Sequence, residues 1–284
     1  MNARNLPALL KALADKYENK DFLAADPSQF MHRFSEPVDQ ELFAFVSAQL
    51  AFGRRELFIA KLNLLYEDVV KSGGGSFCLW LLSGAYKKFF PKSQKKFYRF
   101  FSLADMNALC GRLAQIAKKS GSLGAAVREA YDNANGSDAA DHNAAANFGL
   151  AKNSGKSAAI GLAKSPQELR LAAALISLFP EIKCVSQNPK GACKKLHMFL
   201  RWMVRRGSPV DLGLWTWASA ADLLVPLDTH VLQESARLGL IAPNAPASAK
   251  TAIELTKKMA EVFPCDPARA DYALFGLGVD EEGS

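Results

Sequence analysis

Cysteine is scarce and shows no pairing pattern: Cys78, Cys110, Cys184, Cys193 and Cys265 make an odd set of five with no C-x-x-C spacing. That excludes a disulfide framework, fits a reducing compartment and leaves no clustered ligands for zinc or an iron–sulfur centre. His197 and His230 also stand outside any ligand cluster, so neither a metal nor another cofactor is expected. Long apolar runs are missing too. The stretch from Leu171 to Phe179 is the longest mainly apolar one and is too short to cross a bilayer. At the N-terminus Leu6, Leu9, Leu10 and Leu13 recur at i, i+3, i+4 and i+7, which predicts a short amphipathic helix; a signal peptide needs an uninterrupted apolar stretch. These absences predict a soluble, cytoplasmic protein. Acidic residues are outnumbered, 28 against 35 Lys and Arg, giving a formal charge of +7 that favours polyanionic partners such as nucleic acid.

What is present is helical periodicity over an apolar content of 49%, enough for a substantial core. No convincing alternating strand is found, and the chain reads as all-α. Asp39 to Tyr66 carries two helical patterns broken near Gly53, and Gly73-Gly74-Gly75 ends the second. Helices are expected at 76–90 and at 103–119, the latter opened by Ser102 as N-cap with Asp105 in its first turn. From about 133 to 165 the chain turns to Ala, Asn, Gly, Ser and Asp, too few large apolar groups to offset the entropy of ordering, so a flexible insertion is expected there. Helices resume at 166–179, 194–206, 228–240, 247–263 and 268–277.

The helix from Lys194 to Arg206 carries the densest chemistry. Leu196, Phe199, Leu200 and Met203 form one apolar stripe, while Lys194, Arg201 and Arg205 share another face that either meets phosphates or is simply solvated. An amine is nucleophilic only in its neutral form, which cationic neighbours such as Lys195 and Arg201 favour. Asp228 follows Pro226-Leu227 and precedes Val231, Leu232, Ser235 and Leu238. That is an N-cap position, and a carboxylate fixed at a helix start has a defined direction. Gln49 puts an amide on the apolar stripe of its helix, either as a satisfied core group or as one reaching into a cleft. Arg54 and Arg55 add cations at a helix break. Trp202, Trp215 and Trp217 can serve as core or as surfaces on which a displaced base stacks.

The segment Leu227-Asp228-Thr229-His230-Val231 resembles the aspartate-bearing segment of the helix-hairpin-helix DNA glycosylase superfamily, which includes endonuclease III and the 8-oxoguanine glycosylases. Ser47-Ala48-Gln49 is similar to a serine-alanine-glutamine on an early helix of those enzymes. Cys193 to Leu196, Arg201 to Arg205 and Asp271 to Gly278 look like a largely uncharacterised bacterial family within that superfamily.

The resemblance implies two helical subdomains, 37–211 with the 133–165 insertion inside it, and 1–36 joined to 212–284, flanking a cleft. It implies Lys194 as Schiff-base nucleophile and Asp228 as its carboxylate partner. DNA or base contacts then fall to Gln49, Arg54, Arg55, Lys195, Arg201, Arg205, Trp202, Trp215 and Trp217. The implied protein is a nucleoid-associated monomer acting on double-stranded DNA with a damaged base, removing an oxidised purine such as 8-oxoguanine, since the 34-residue step from lysine to aspartate is similar to that of archaeal 8-oxoguanine glycosylases. The alternatives are a monofunctional glycosylase, in which Asp228 activates water, and a non-catalytic DNA- or RNA-binding protein. Two features depart from the pattern. Only Pro189 and Gly191 stand near the place of the leucine-proline-glycine-valine-glycine hairpin, and the four-cysteine cluster of endonuclease III is missing.

Overall fold

A computed structural model describes residues 6–136 and 167–282. The expected insertion at 133–165 lies almost wholly outside the described residues. Within them the protein is helical, with one two-stranded antiparallel sheet. The helices are α1 (Leu6–Tyr17), α2 (Pro37–Leu50), α3 (Arg55–Gly73), α4 (Phe77–Leu82), α5 (Tyr86–Phe89), α6 (Leu103–Ser120), α7 (Leu123–Gly136), α8 (Gln167–Ser177), α9 (Lys194–Val204), α10 (Thr229–Arg237), α11 (Ala249–Val262) and α12 (Ala270–Glu282). Two 3₁₀ turns, Lys20–Ala25 and Pro27–Arg33, join α1 to α2. None of the described helices is long and apolar enough to cross a membrane.

Local chemistry sets the boundaries. Pro37 opens α2 where its missing N–H costs nothing. Gly53, at φ 79°, allows the turn between α2 and α3. Ser102 and Asp105 form a reciprocal capping box on α6: the Ser102 hydroxyl accepts from the Asp105 N–H at 3.1 Å, and the Asp105 carboxylate accepts from the Ser102 N–H at 2.7 Å. The helix expected at 76–90 is instead two short ones, α4 and α5, because Gly84 takes a φ of 79° between them. The all-helical expectation missed the hairpin of β1 (Lys96–Tyr98) and β2 (Phe101–Ser102), whose strands are too short to display an alternating pattern.

The chain divides into two compact units, residues 1–64 with 190–284 and residues 65–189. This grouping differs from the 37–211 and 1–36 plus 212–284 division: α2 and the lysine helix α9 join both termini. In the discontinuous unit α2 is buried from Glu41 to Leu50 and packs on α9, with Phe45 and Phe199 edge to face at 5.0 Å. Phe199 in turn meets Trp215 at 5.5 Å, and the Trp215 indole N–H donates to the buried Glu41 carboxylate at 2.7 Å. Helix α1 lies along α12, a close approach that Gly276 permits: a Cβ there stands 2.0 Å from the Tyr17 ring. In the continuous unit α6 packs on α4 and α7, α7 packs on α8, and Trp80, Phe77 and Phe90 are fully buried.

Candidate active site

Residues 190–193 run antiparallel to the start of α11, with Gly191 bridging Ser248 and the Lys190 carbonyl accepting from Ala249 N–H at 3.0 Å. Cys193 then takes a left-handed conformation, φ 43° and ψ 37°, that costs a residue with a Cβ roughly 1–2 kcal/mol. That turn starts α9 at once, so Lys194 is its first residue. Asp228 is the N-cap of α10 and uses its two oxygens separately: Oδ1 accepts the Val231 N–H at 2.8 Å, and Oδ2 lies 3.2 Å from Lys194 Nζ. The two side chains are 34% and 19% exposed, so the pair remains reachable from solvent. Two helix starts thus bring the expected nucleophile and the expected carboxylate into contact, both within the discontinuous unit.

Behind the pair lies a buried charge network that the sequence reading placed on the surface. Arg201 and Arg205 are each 3% exposed. Arg201 pairs with Asp211 at 3.3 Å and with Asp271, and its guanidinium lies 4.2 Å over the Tyr272 ring. Arg205 pairs with Glu18 and Asp266, both at 2.8 Å, and with Asp211. The Tyr272 hydroxyl donates to Asp211 at 3.0 Å. The expected phosphate-facing role therefore does not fit Arg201 and Arg205, whose donors are committed to carboxylates inside the unit. These neighbours outweigh desolvation and hold both guanidiniums charged, with pKa values raised above the usual arginine range. Burial instead dominates at Asp271, raising its carboxyl to about 6, while Arg201 and Lys194 pull it down and Asp228 pushes it up. Asp271 thus senses both members of the pair. Asp271 and Tyr272 lie in the segment Asp271 to Gly278 whose family resemblance is visible in the sequence, but that resemblance assigns neither a role; Asp211 carries no sequence signal.

The remaining expected residues divide by burial. Trp202 and Trp215 are 0% and 2% exposed and belong to the core, which is a correction to their use as stacking surfaces; Trp217 is partly exposed and stacks on Trp215 at 5.7 Å. Lys195 reaches from α9 to the end of α2, donating to the Gln49 carbonyl at 3.2 Å and lying 5.1 Å over the Phe52 ring. The Gln49 side chain is fully buried, yet neither its Nε2 nor its Oε1 has a protein partner. A buried amide with both functions unmet is costly by about 1–3 kcal/mol, so it is poor core material. Arg54 and Arg55 are exposed at the start of α3, Arg55 with its guanidinium 5.7 Å from the Phe275 ring.

An amine that can transfer its proton to an adjacent carboxylate is equipped for nucleophilic attack on an electrophilic carbon. Comparison with known proteins adds one match: a family model described as a protein of unknown function, DUF2400, covers residues 26–280, a range that contains every residue of this site except Glu18. No curated protein and no solved structure gives a significant match.

Proposed function

The chain belongs to the DUF2400 family, and we propose that it is a DNA glycosylase with AP-lyase activity on a helix-hairpin-helix glycosylase-like fold, excising an oxidised purine such as 8-oxoguanine. The observation that carries this reading is the 3.2 Å approach of Lys194 Nζ to Asp228 Oδ2 at an accessible position. The sequence resemblance supplies the substrate class, and the net charge of +7 suits a polyanionic partner.

In this mechanism backbone phosphates give salt-sensitive affinity, and the damaged nucleotide rotates out of the duplex, a step cheaper for a lesion than for a paired base. Asp228 Oδ2 takes a proton from Lys194, and the neutral amine attacks the anomeric carbon of the sugar. The bond from that carbon to the base breaks, its electron pair leaving with the base, which is protonated as it departs. Ring opening yields an imine between the sugar and Nζ. Loss of a proton from the adjacent sugar carbon then expels the 3′ phosphate, and water hydrolyses the imine to restore the amine. Asp228 also stabilises positive charge developing on the sugar. Trp217 offers a partly exposed ring.

Borohydride trapping tests this on duplexes holding 8-oxoguanine, uracil, a thymine oxidation product or an abasic site, with Lys194→Gln alongside. A lesion-dependent covalent adduct that disappears in Lys194→Gln is expected. No adduct on any duplex, the abasic one included, rejects the lyase mechanism; base release without an adduct would indicate water activated by Asp228.

A further inference from the structure

The continuous unit carries a second concentration of chemistry remote in sequence from Lys194. Between Lys87 and Arg99 stand six cations, Lys87, Lys88, Lys92, Lys95, Lys96 and Arg99, and no carboxylate. All six are exposed, and none has an ion-pair partner among the described residues. The same stretch builds a hairpin. Strand β1 turns into β2 through Arg99, held left-handed at φ 48°, and Phe100, which is 59% exposed. The turn is fixed from behind: Lys183 donates to the Phe100 carbonyl at 3.2 Å while paired with Asp105 at 3.1 Å, and Asp105 closes the capping box of α6. The segment leading into the hairpin also lines a cavity of about 560 Å³, where Lys87, Lys92, Gln94 and Arg112 stand with no acidic side chain. Its wall and the hairpin are joined, since Ala104 N–H donates to Ser93 and Leu103 N–H to Lys95, each at 2.9 Å.

We propose that this hairpin and cavity form a DNA-contact face of residues 65–189, in which Lys92, Lys95, Lys96 and Arg99 meet backbone phosphates and Phe100 stacks on a nucleobase. Exposed cations clustered along one short stretch with no acid among them suit the negative charge of a phosphodiester chain. The Phe100 ring meets Phe101 edge to face at 4.7 Å yet stays 59% exposed beside these cations, and its open part offers base stacking that needs no sequence match. The inference rests on the proposed function only for the choice of DNA as the polyanion; it uses neither Lys194 nor a lesion.

The test measures fluorescence anisotropy of a labelled, undamaged DNA duplex with the full chain across a series of potassium chloride concentrations. Combined replacement of Lys92, Lys95, Lys96 and Arg99 by Gln is expected to weaken binding and flatten the slope of log affinity against log salt by about 2–4. Phe100→Ala should leave the slope unchanged and weaken binding roughly tenfold. Lys250→Gln, an exposed cation on α11, serves as the control and should change neither appreciably. An unchanged slope in the fourfold variant overturns the proposal. So does loss, in that variant, of binding to vesicles of phosphatidylcholine and phosphatidylserine with duplex affinity intact, which assigns the face to a membrane surface. An undamaged duplex makes the outcome independent of the trapping result: wild type that forms no adduct yet shows these slopes refutes the lyase and leaves the face standing.

Discussion

Asp228 serves two partners through two oxygens, so two substitutions at one position separate its structural from its chemical work. In Asp228→Asn the amide oxygen keeps the bond to Val231 N–H, now at 2.8 Å. Its Nδ2 then faces Lys194 Nζ across the 3.2 Å that Oδ2 spans, two donors with no acceptor between them. Asn and Asp cap equally well to within a few tenths of a kcal/mol. The lost ion pair, partly exposed on both sides, is worth about 0–1 kcal/mol. Asp228→Ala loses that pair and the cap as well, about 1 kcal/mol more. Urea denaturation should therefore rank Asn close to wild type and Ala about 1 kcal/mol below Asn. Adduct formation on the preferred duplex should fall in both by roughly 10²-fold or more, because neither side chain accepts the lysine proton. An Asn variant that forms adduct at the wild-type rate refutes Asp228 as the proton acceptor. Equal destabilisation by Asn and Ala refutes the division of labour between the oxygens.

Gly276→Ala should destabilise the protein by about 1–3 kcal/mol despite alanine's better helix propensity, because the new methyl meets the Tyr17 ring at 2.0 Å rather than open space; thermal denaturation of this variant with and without Tyr17→Ala reads the coupling, and additive effects would contradict the contact. Acid stability should depend on two opposed groups: burial lowers His197 from 6.5 to about 4, so the unfolded chain binds more protons and stability falls as pH drops from about 6.5 towards 4, whereas burial raises Asp271 from 3.8 to about 6, so the folded chain holds the extra proton and stability rises as pH drops from about 6 towards 4. Asp271→Asn removes the second contribution, and its urea-derived stability should decline relative to wild type between pH 6 and 4 by up to about 1.4 kcal/mol per pH unit; parallel curves would refute the linkage.

The elements that sequence conveyed best are those with local causes. Ser102 with Asp105 marked the start of α6, the break near Gly53 separated α2 from α3, and Asp228 before Val231 announced an N-cap. Helix α7 and the 3₁₀ turns at 20–33 went unread although each has a local cap, Ser122 accepting from Ala125 N–H at 3.0 Å, Asn19 from Phe22 N–H at 3.1 Å and Asp26 from Ser28 N–H at 2.9 Å, because these segments hold too few large apolar residues to display a period. Lys194 and Asp228 were legible through motif resemblance, but their contact is a product of the tertiary fold. The arginines show the limit most clearly. Spacing put Lys194, Arg201 and Arg205 on one face, and nothing in spacing tells a face turned to water from one turned towards Asp211, Asp266 and Asp271, acids that lie further along the chain.

The Arg205 network also dictates an order of assembly. Arg269 and Glu18 meet across a sequence separation of 251 residues, and Glu18 is also a partner of Arg205, the residue that caps the C-terminus of the helix opening with Lys194. A ribosome emits residues 65–189 as one uninterrupted segment, free to condense as soon as it emerges. The discontinuous unit must wait, its first helices already made, until Asp266 and Asp271 arrive to neutralise two guanidiniums that cannot be buried alone. The lysine is synthesised before Asp266 and Asp271, so until those acids follow, a nascent chain carries the amine without the framework that aims it.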